Sequence, residues 1–268
     1  MTMISTPPES NNDDLSPLLS EPFARAWAAP APGVSGRLAE RLGQRLAESL
    51  KAEEGMVTVR RRKSEAETLG EGVQQRVLYQ APSSRAARPG EPRAASIIEL
   101  QAGAQLTLPV GGAREFLVLR GSVGADGETL GLHDFLRLPA GMALHLSSED
   151  GGHVFVREAE GEGGERTLVR DREAGWPEFA PGIARRVLWT AGGEAALLYR
   201  ADPGAQVPGH GHGHDEECLT VQGEIFLDDV LLQAGDYQLA PAGSGHVVTE
   251  TDTGVIIYAH GDLDLQFS

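Results

Sequence analysis

The apolar positions of this chain come in short bursts. "EFLVLRG", "HVFVRE", "ALLYR" and "VIIYAH" are rich in Val, Leu, Ile, Phe and Tyr, and Gly, Pro and Asp turns separate them. Such runs predict the strands of antiparallel barrels or jelly rolls. One segment departs from this pattern. Between Ser35, an N-capping residue type, and Gly55, a helix stop, Leu38, Leu42, Leu46 and Leu50 recur every four residues. That period predicts an amphipathic helix over 34–55, whose leucine stripe suits the barrel behind it or a second subunit in a homodimer. Residues 1–33 mix Pro, Ser, Asn and Asp and are expected to form a flexible tail.

The strand pattern occurs twice. "GVQQRVLYQ" (Gly72 to Gln80) resembles "GIARRVLWT" (Gly182 to Thr190), and "LHDFLRLPAG" matches "QAGDYQLAPAG" further on. The pairs Gly121/Gly223, Pro139/Pro241 and Gly141/Gly243 share one constant offset. Two copies of one module are the economical reading, at 56–160 and 161–268, joined by the acidic, Gly-rich "EAEGEGGERTLVRDREAG". The expected fold is all-β: two tandem jelly-roll type barrels after a short N-terminal helix.

Charge and cysteine content narrow the partners. A formal net charge of −16, with "VRRRK" as the single basic run, argues against nucleic acid, which needs a positive surface to release counterions. The single cysteine, Cys218, excludes an internal disulfide framework and a zinc site of several thiolates from one chain. No apolar run reaches a membrane span and the first residues lack a signal-peptide shape, so a cytoplasmic protein without membrane attachment is expected.

The second copy carries the chemistry. "GHGHGHDEE" places His210, His212 and His214 at alternate positions and runs into Glu216 and Glu217. Five residues separate Gly204 from His210; three separate His212 from Glu216, and six separate Glu216 from Gly223. Downstream, Gly235 is followed by five residues, then Pro241, Ala242, Gly243, two residues and His246. These two stretches resemble the signature motifs of the cupin superfamily, with Glu250 standing where the family usually has Asn.

The resemblance implies metal ligation by His210, His212, Glu216 and His246, and the geometry of a strand agrees. Residues two apart point to one side, so His210 and His212 can face one metal, and the "PAGSGH" corner can bring His246 across. Three imidazoles and a carboxylate suit one divalent metal per chain, zinc first, with iron, manganese or nickel as alternatives. His214 breaks the spacing and is expected outside the ligand set. Glu217 should point away from Glu216, to the surface or barrel wall, and Cys218 should share the Glu216 side as a small buried hydrophobe. At the constant offset the first copy has Leu108, Val110, Arg114 and Leu144 in place of the four ligands, so its barrel is expected to hold no metal. His133, His145 and His153 lack partners at ligand spacing.

The motif layout and the upstream "GWPEFAPGIARRVLW" are similar to the cupin module of ChrR-type anti-sigma factors. That resemblance implies a zinc-binding regulatory or sensory protein with a small-molecule effector and a protein partner, in that family a sigma factor. The family's N-terminal zinc-binding domain needs a His-x3-Cys-x2-Cys signature, and this chain has no histidine before His133. Related cupins include diketone-cleaving, metal-dependent dioxygenases, so an enzyme acting on a small chelating substrate stands as the alternative, with catalytic residues unassigned.

Overall fold

Strict alternation along the strands decides what each barrel holds inside and what it turns to its neighbour. The computed structural model describes residues 36, 37, 39–41, 43, 55–82, 91–161 and 164–267. It divides into the units Met1–Lys51 and Ala52–Ser268. In the first unit Gly36, Arg37, Ala39, Glu40, Arg41 and Gly43 are helical and exposed. The stripe Leu38, Leu42, Leu46 and Leu50 and the tail 1–33 lie outside the described residues. Among the described residues no helix is long and apolar enough to cross a membrane.

The second unit is built of two tandem jelly-roll type barrels. In the first, a seven-stranded antiparallel sheet runs Thr167–Val169, Phe135–Leu138, Ala113–Gly121, Gly152–Ala159, Pro92–Leu100, Val73–Gln80, Ala66–Gly70. A four-stranded sheet of Gln105–Leu108, Leu144–Ser147, Val123–Ala125 and Glu128–Leu130 accompanies it. In the second, the main sheet runs Val57–Val59, Tyr237–Ala240, Glu216–Leu227, Val255–Asp262, Glu194–Ala201, Ile183–Ala191, Glu178–Ala180. A strip of Gly245–His246, His210–Gly211 and Gln266–Phe267 carries the histidines.

The barrels exchange strands. Val57–Val59, at the start of the first module, pairs with Tyr237–Ala240 of the second, and Thr167–Val169, near the start of the second, pairs with Phe135–Leu138 of the first. Each main sheet therefore has an outer strand supplied by the start of the other module, which covers an edge that would otherwise be open.

Alternation then sorts the side chains. Phe116, Val118, Leu136, Leu138, Val154 and Val156 fill the first barrel. Leu117, Phe135 and Phe155, from the same strands, point out of it and pack on Leu198, Leu219, Tyr237 and Tyr258 of the second. Each such fully buried side chain contributes about 1.5–3 kcal/mol. Gly121 and Gly223 turn the chain identically in the two modules. Their φ values are 67° and 77°, and a Cβ would fall 2.2 Å from the Gly151 carbonyl and 2.1 Å from the Gly254 carbonyl. Only glycine tolerates both demands.

Candidate metal centre

His210 and His246 face each other across one short antiparallel pair, with Gly211 opposite Gly245. The approach is close: a Cβ on Gly245 would lie 2.5 Å from the His210 carbonyl oxygen. The loop after His210 is tied to the "PAGSGH" corner, because the His212 amide donates to the Ser244 carbonyl at 2.9 Å and the Gly243 amide to the His212 carbonyl at 2.7 Å. Asp215 closes the corner by accepting the Ala242 amide at 2.8 Å. Glu216 begins its strand opposite Ala240.

These elements cluster the donor atoms of three of the expected ligands, with the His246 ring beside them. Donor atoms of His210, His212 and Glu216 all lie within 4.8 Å of one another. The His246 ring centroid is 5.7 Å from that of His210 and 5.1 Å from that of His212. All three imidazoles are buried. His210 Nδ1 donates to the Pro208 carbonyl at 3.1 Å, since that oxygen can only accept, and this leaves Nε2 as a lone-pair donor. His246 Nδ1 lies 3.2 Å from Asp228 Oδ2 and is oriented in the same way. His212 Nδ1 is 3.3 Å from Glu216 Oε2, while its Nε2 is buried with no hydrogen-bond partner among the described residues. A buried, unsatisfied nitrogen beside two imidazoles and a carboxylate fits a divalent metal ion, whose charge would meet the cost of that arrangement.

The electrostatics agree with a clustered donor set. Burial raises the Glu216 carboxyl, but the hydrogen bond and charge of His212, with His246 and His210, outweigh it and hold the group below its ordinary value. Burial lowers both His212 and His246. In His212 the bond to Glu216 reverses the sign and raises it, whereas His246 stays lowered.

Inside the barrel the donors border a cavity of about 70 Å³, lined by His210, Glu216, His246, Tyr199, Cys218 and otherwise mainly apolar side chains. Cys218 shares the Glu216 side, as expected, and burial pushes its thiol far up, as suits an inert apolar group. Tyr199 was not singled out by the sequence: on "ALLYR" it reads as one more core aromatic, yet it enters the donor cavity, and burial pushes its phenol up to about 12. Asp228 was missed for a related reason. It stands at the tip between Glu216–Leu227 and Val230–Gln233 with φ 55°, where turn chemistry alone explains an aspartate, but its carboxylate reaches His246 and accepts the Val247 amide at 2.7 Å.

His214 is placed apart from the clustered donors. Its side chain is 41% exposed, and its Nδ1 is hydrogen-bonded to Asp262, which raises the imidazole. Glu217 points away from Glu216, as alternation requires, but it is 1% exposed rather than at the surface. Its carboxylate is bonded to Arg157 of the first barrel and accepts the Tyr237 hydroxyl at 2.7 Å. In the first module Leu108 pairs with Leu144 as His210 pairs with His246, and Arg114 pairs with Leu138 as Glu216 pairs with Ala240. Val110 is 65% exposed, and Arg114 is held by Glu158 at 2.8 Å. His133 lies 3.9 Å from Asp171 and His145 lies 3.3 Å from Thr107, in separate places.

No curated protein matches the chain in sequence. Among solved structures, a Nostoc punctiforme protein provisionally described as a dioxygenase superposes with a TM-score of 0.60 at 13% identity, covering 78% of this chain and 83% of that one. A variant of Bacillus subtilis oxalate decarboxylase gives 0.60 at 15% identity, covering 79% and 78%. A Pseudomonas aeruginosa protein provisionally described as glyoxylate-induced gives 0.61 at 12%, covering 78% and 89%. At these identities the likeness is one of fold. The model of the ChrR Cupin-like domain matches residues 164–264. That match falls on the second barrel and takes in the clustered histidines and Glu216.

Proposed function

We propose that the protein binds one divalent metal ion per chain through His210, His212, Glu216 and His246, and that it is a regulatory or sensory protein of the ChrR-like kind. The observation that carries this reading is the size of the space beside the donors. About 70 Å³ holds roughly two waters at ~30 Å³ each, far below the ~300 Å³ at which small-molecule sites begin. Four protein donors also suffice for a closed tetrahedral zinc site. The effector is then an oxidant, or a molecule of only a few atoms, acting at the site, and the readout is binding to a protein partner, for which a sigma factor is the first candidate.

A second reading is a metal-dependent dioxygenase acting on a small chelating substrate. It is favoured by the cavity that His210, Glu216 and His246 share with Tyr199, which gives a very small ligand access to the donor side. A bound metal would supply Lewis-acid polarisation of a substrate oxygen there. The Bacillus neighbour acts on oxalate and has Mn(II) centres, which makes manganese worth testing. Elemental analysis of untagged protein separates the readings. Stoichiometric zinc without oxygen uptake supports the regulator, and iron or manganese with oxygen uptake on a diketone panel overturns it in favour of the enzyme.

A further inference from the structure

The basic run Arg60 to Lys63 takes no part in the metal centre. It leaves the strand Val57–Val59 as a tight turn, in which the Lys63 and Ser64 amides donate to the Arg60 carbonyl at 2.9 and 3.1 Å. Asp236 of the second barrel pins this turn. Its carboxylate accepts the Arg61 amide at 2.9 Å, Arg60 Nη1 at 3.1 Å and the Gln233 amide at 3.1 Å. Arg60 also donates to the Leu231 carbonyl. The Arg61 stem lies against Gly235, where a Cβ would fall 2.4 Å from Arg61 Cδ.

The turn borders a cleft of about 820 Å³, which Arg76 of the first barrel lines as well. Arg60, Arg61, Arg62, Lys63 and Arg76 thus face one space with a single carboxylate, Asp236, and its oxygens are already taken by three donors. Arg61, Arg62 and Lys63 are exposed and form no ion pair among the described residues. Arg76 donates from Nη1 to the Ser64 carbonyl, which ties it to the same turn, while its Nε is buried with no hydrogen-bond partner among the described residues. A buried N–H of a charged group without an acceptor is costly, and an anion in the cleft would relieve it.

The rest of the chain decides what kind of anion suits this place. With a formal net charge of −16 the protein as a whole repels anions, so a ligand must bring several charges close to these cations to be held. Screening acts over about 8 Å at physiological salt. A compact chain of phosphates keeps all its charge inside that distance, whereas an extended acidic polypeptide lays part of its charge over acidic surface. Guanidinium groups also match phosphate oxygens with paired N–H bonds.

We propose that this cleft binds a short phosphate chain, a diphosphate or triphosphate group that is free or carried by a nucleotide, with Arg61, Arg62, Lys63 and Arg76 as its cationic contacts. The volume lies within the range of small-molecule sites. None of the four expected metal ligands lines the cleft, so the site is independent of the metal reading.

Tripolyphosphate is the probe, titrated calorimetrically into the full chain after chelator treatment and dialysis, so that no ion at the histidines can hold phosphate. One tripolyphosphate per chain is expected, with a Kd below about 1 mM. Arg62→Ala combined with Lys63→Ala, at two exposed side chains, should weaken binding at least roughly tenfold. Arg172→Ala, at a side chain 80% exposed and outside the cleft, should leave it unchanged. Arg76→Lys keeps the charge but loses the Nε N–H, and should weaken binding roughly threefold or more. ATP titrated in parallel names the source: ATP as tight as tripolyphosphate assigns a nucleotide, and weaker ATP assigns the free chain, each in keeping with the proposal. Absence of binding up to about 10 mM tripolyphosphate overturns it, as does binding that the double variant leaves unchanged or that Arg172→Ala weakens equally. Hexaglutamate binding as tightly as tripolyphosphate also overturns it, and would make the cleft a docking surface for an acidic protein segment.

Discussion

Glu216 and Glu217 are neighbours in sequence with opposite surroundings, and exchanging each for glutamine should give opposite phenotypes. Glu217 is 1% exposed and its partner Arg157 has a side chain 3% exposed, so Glu217→Gln takes from a buried guanidinium the carboxylate bonded to its Nε, while Glu115 stays 3.8 Å away. Breaking a buried pair from one side costs up to about 3–5 kcal/mol, because a desolvated charge loses its closest counterion. For a unit of this size that lowers Tm by on the order of 10 °C. Glu216→Gln, in contrast, removes a proposed ligand while its amide oxygen still accepts from His212, so metal-free stability should change by no more than about 1 kcal/mol. Urea unfolding in chelator reads the first quantity, and metal content per chain after reloading reads the second. Glu217→Gln should unfold early yet bind metal stoichiometrically at low temperature, whereas Glu216→Gln should unfold normally and lose metal. A loss under about 1 kcal/mol for Glu217→Gln would place the pair with exposed ion pairs and refute the assignment of the buried face.

Three further outcomes follow from the geometry. His210→Ala or His246→Ala should empty the centre by elemental analysis while His214→Ala, whose imidazole is held by Asp262, stays nearly stoichiometric; equal metal in all three would overturn the ligand set. Gly245→Ala keeps every donor but places a methyl 2.5 Å from the His210 carbonyl, so metal affinity should drop at least roughly tenfold with the first barrel's melting unchanged. Burial raises the Glu115 carboxyl, but His260, Arg157 and Tyr258 lower it further, from 4.5 to about 2. A depressed carboxylate contributes its full stability above 4.5 and loses it as pH falls toward 2, so wild type should lose stability over that window more steeply than Glu115→Gln. Parallel pH profiles for the two proteins would show that Glu115 is not held in this way.

What the sequence made legible was local or periodic. The constant offset between the modules finds Leu108 and Leu144 as counterparts of His210 and His246, and the strand pairing has the same register in both. Alternation correctly separates Glu216 from Glu217 and places Cys218 beside Glu216. It names a side of the sheet, however, and says nothing of what covers that side. For Glu217 the cover is another barrel whose Arg157 lies sixty residues away in the chain. The exchange of Val57–Val59 and Thr167–Val169 was hidden for the same reason: a three-residue strand carries no signal of its partner, and both partners here are distant. Asp228 and Tyr199 were masked by sufficient local explanations, a turn and a core strand.

The pairing of a donor-bearing barrel with a leucine-bearing one has a physical logic. With Leu108 and Leu144 in register where the second barrel has His210 and His246, the first barrel can close on an apolar core, and Leu136, Leu138, Leu144 and Leu146 are all at most 3% exposed. Its folding then needs no compensation from an ion, whereas the second barrel must keep three imidazoles and a carboxylate out of water. The first barrel also supplies Glu115, Arg137 and Arg157 to the shared face, so a sheet with an apolar core orders the back of the Glu216 strand. That arrangement would preorganise one wall of the proposed donor site before an ion binds.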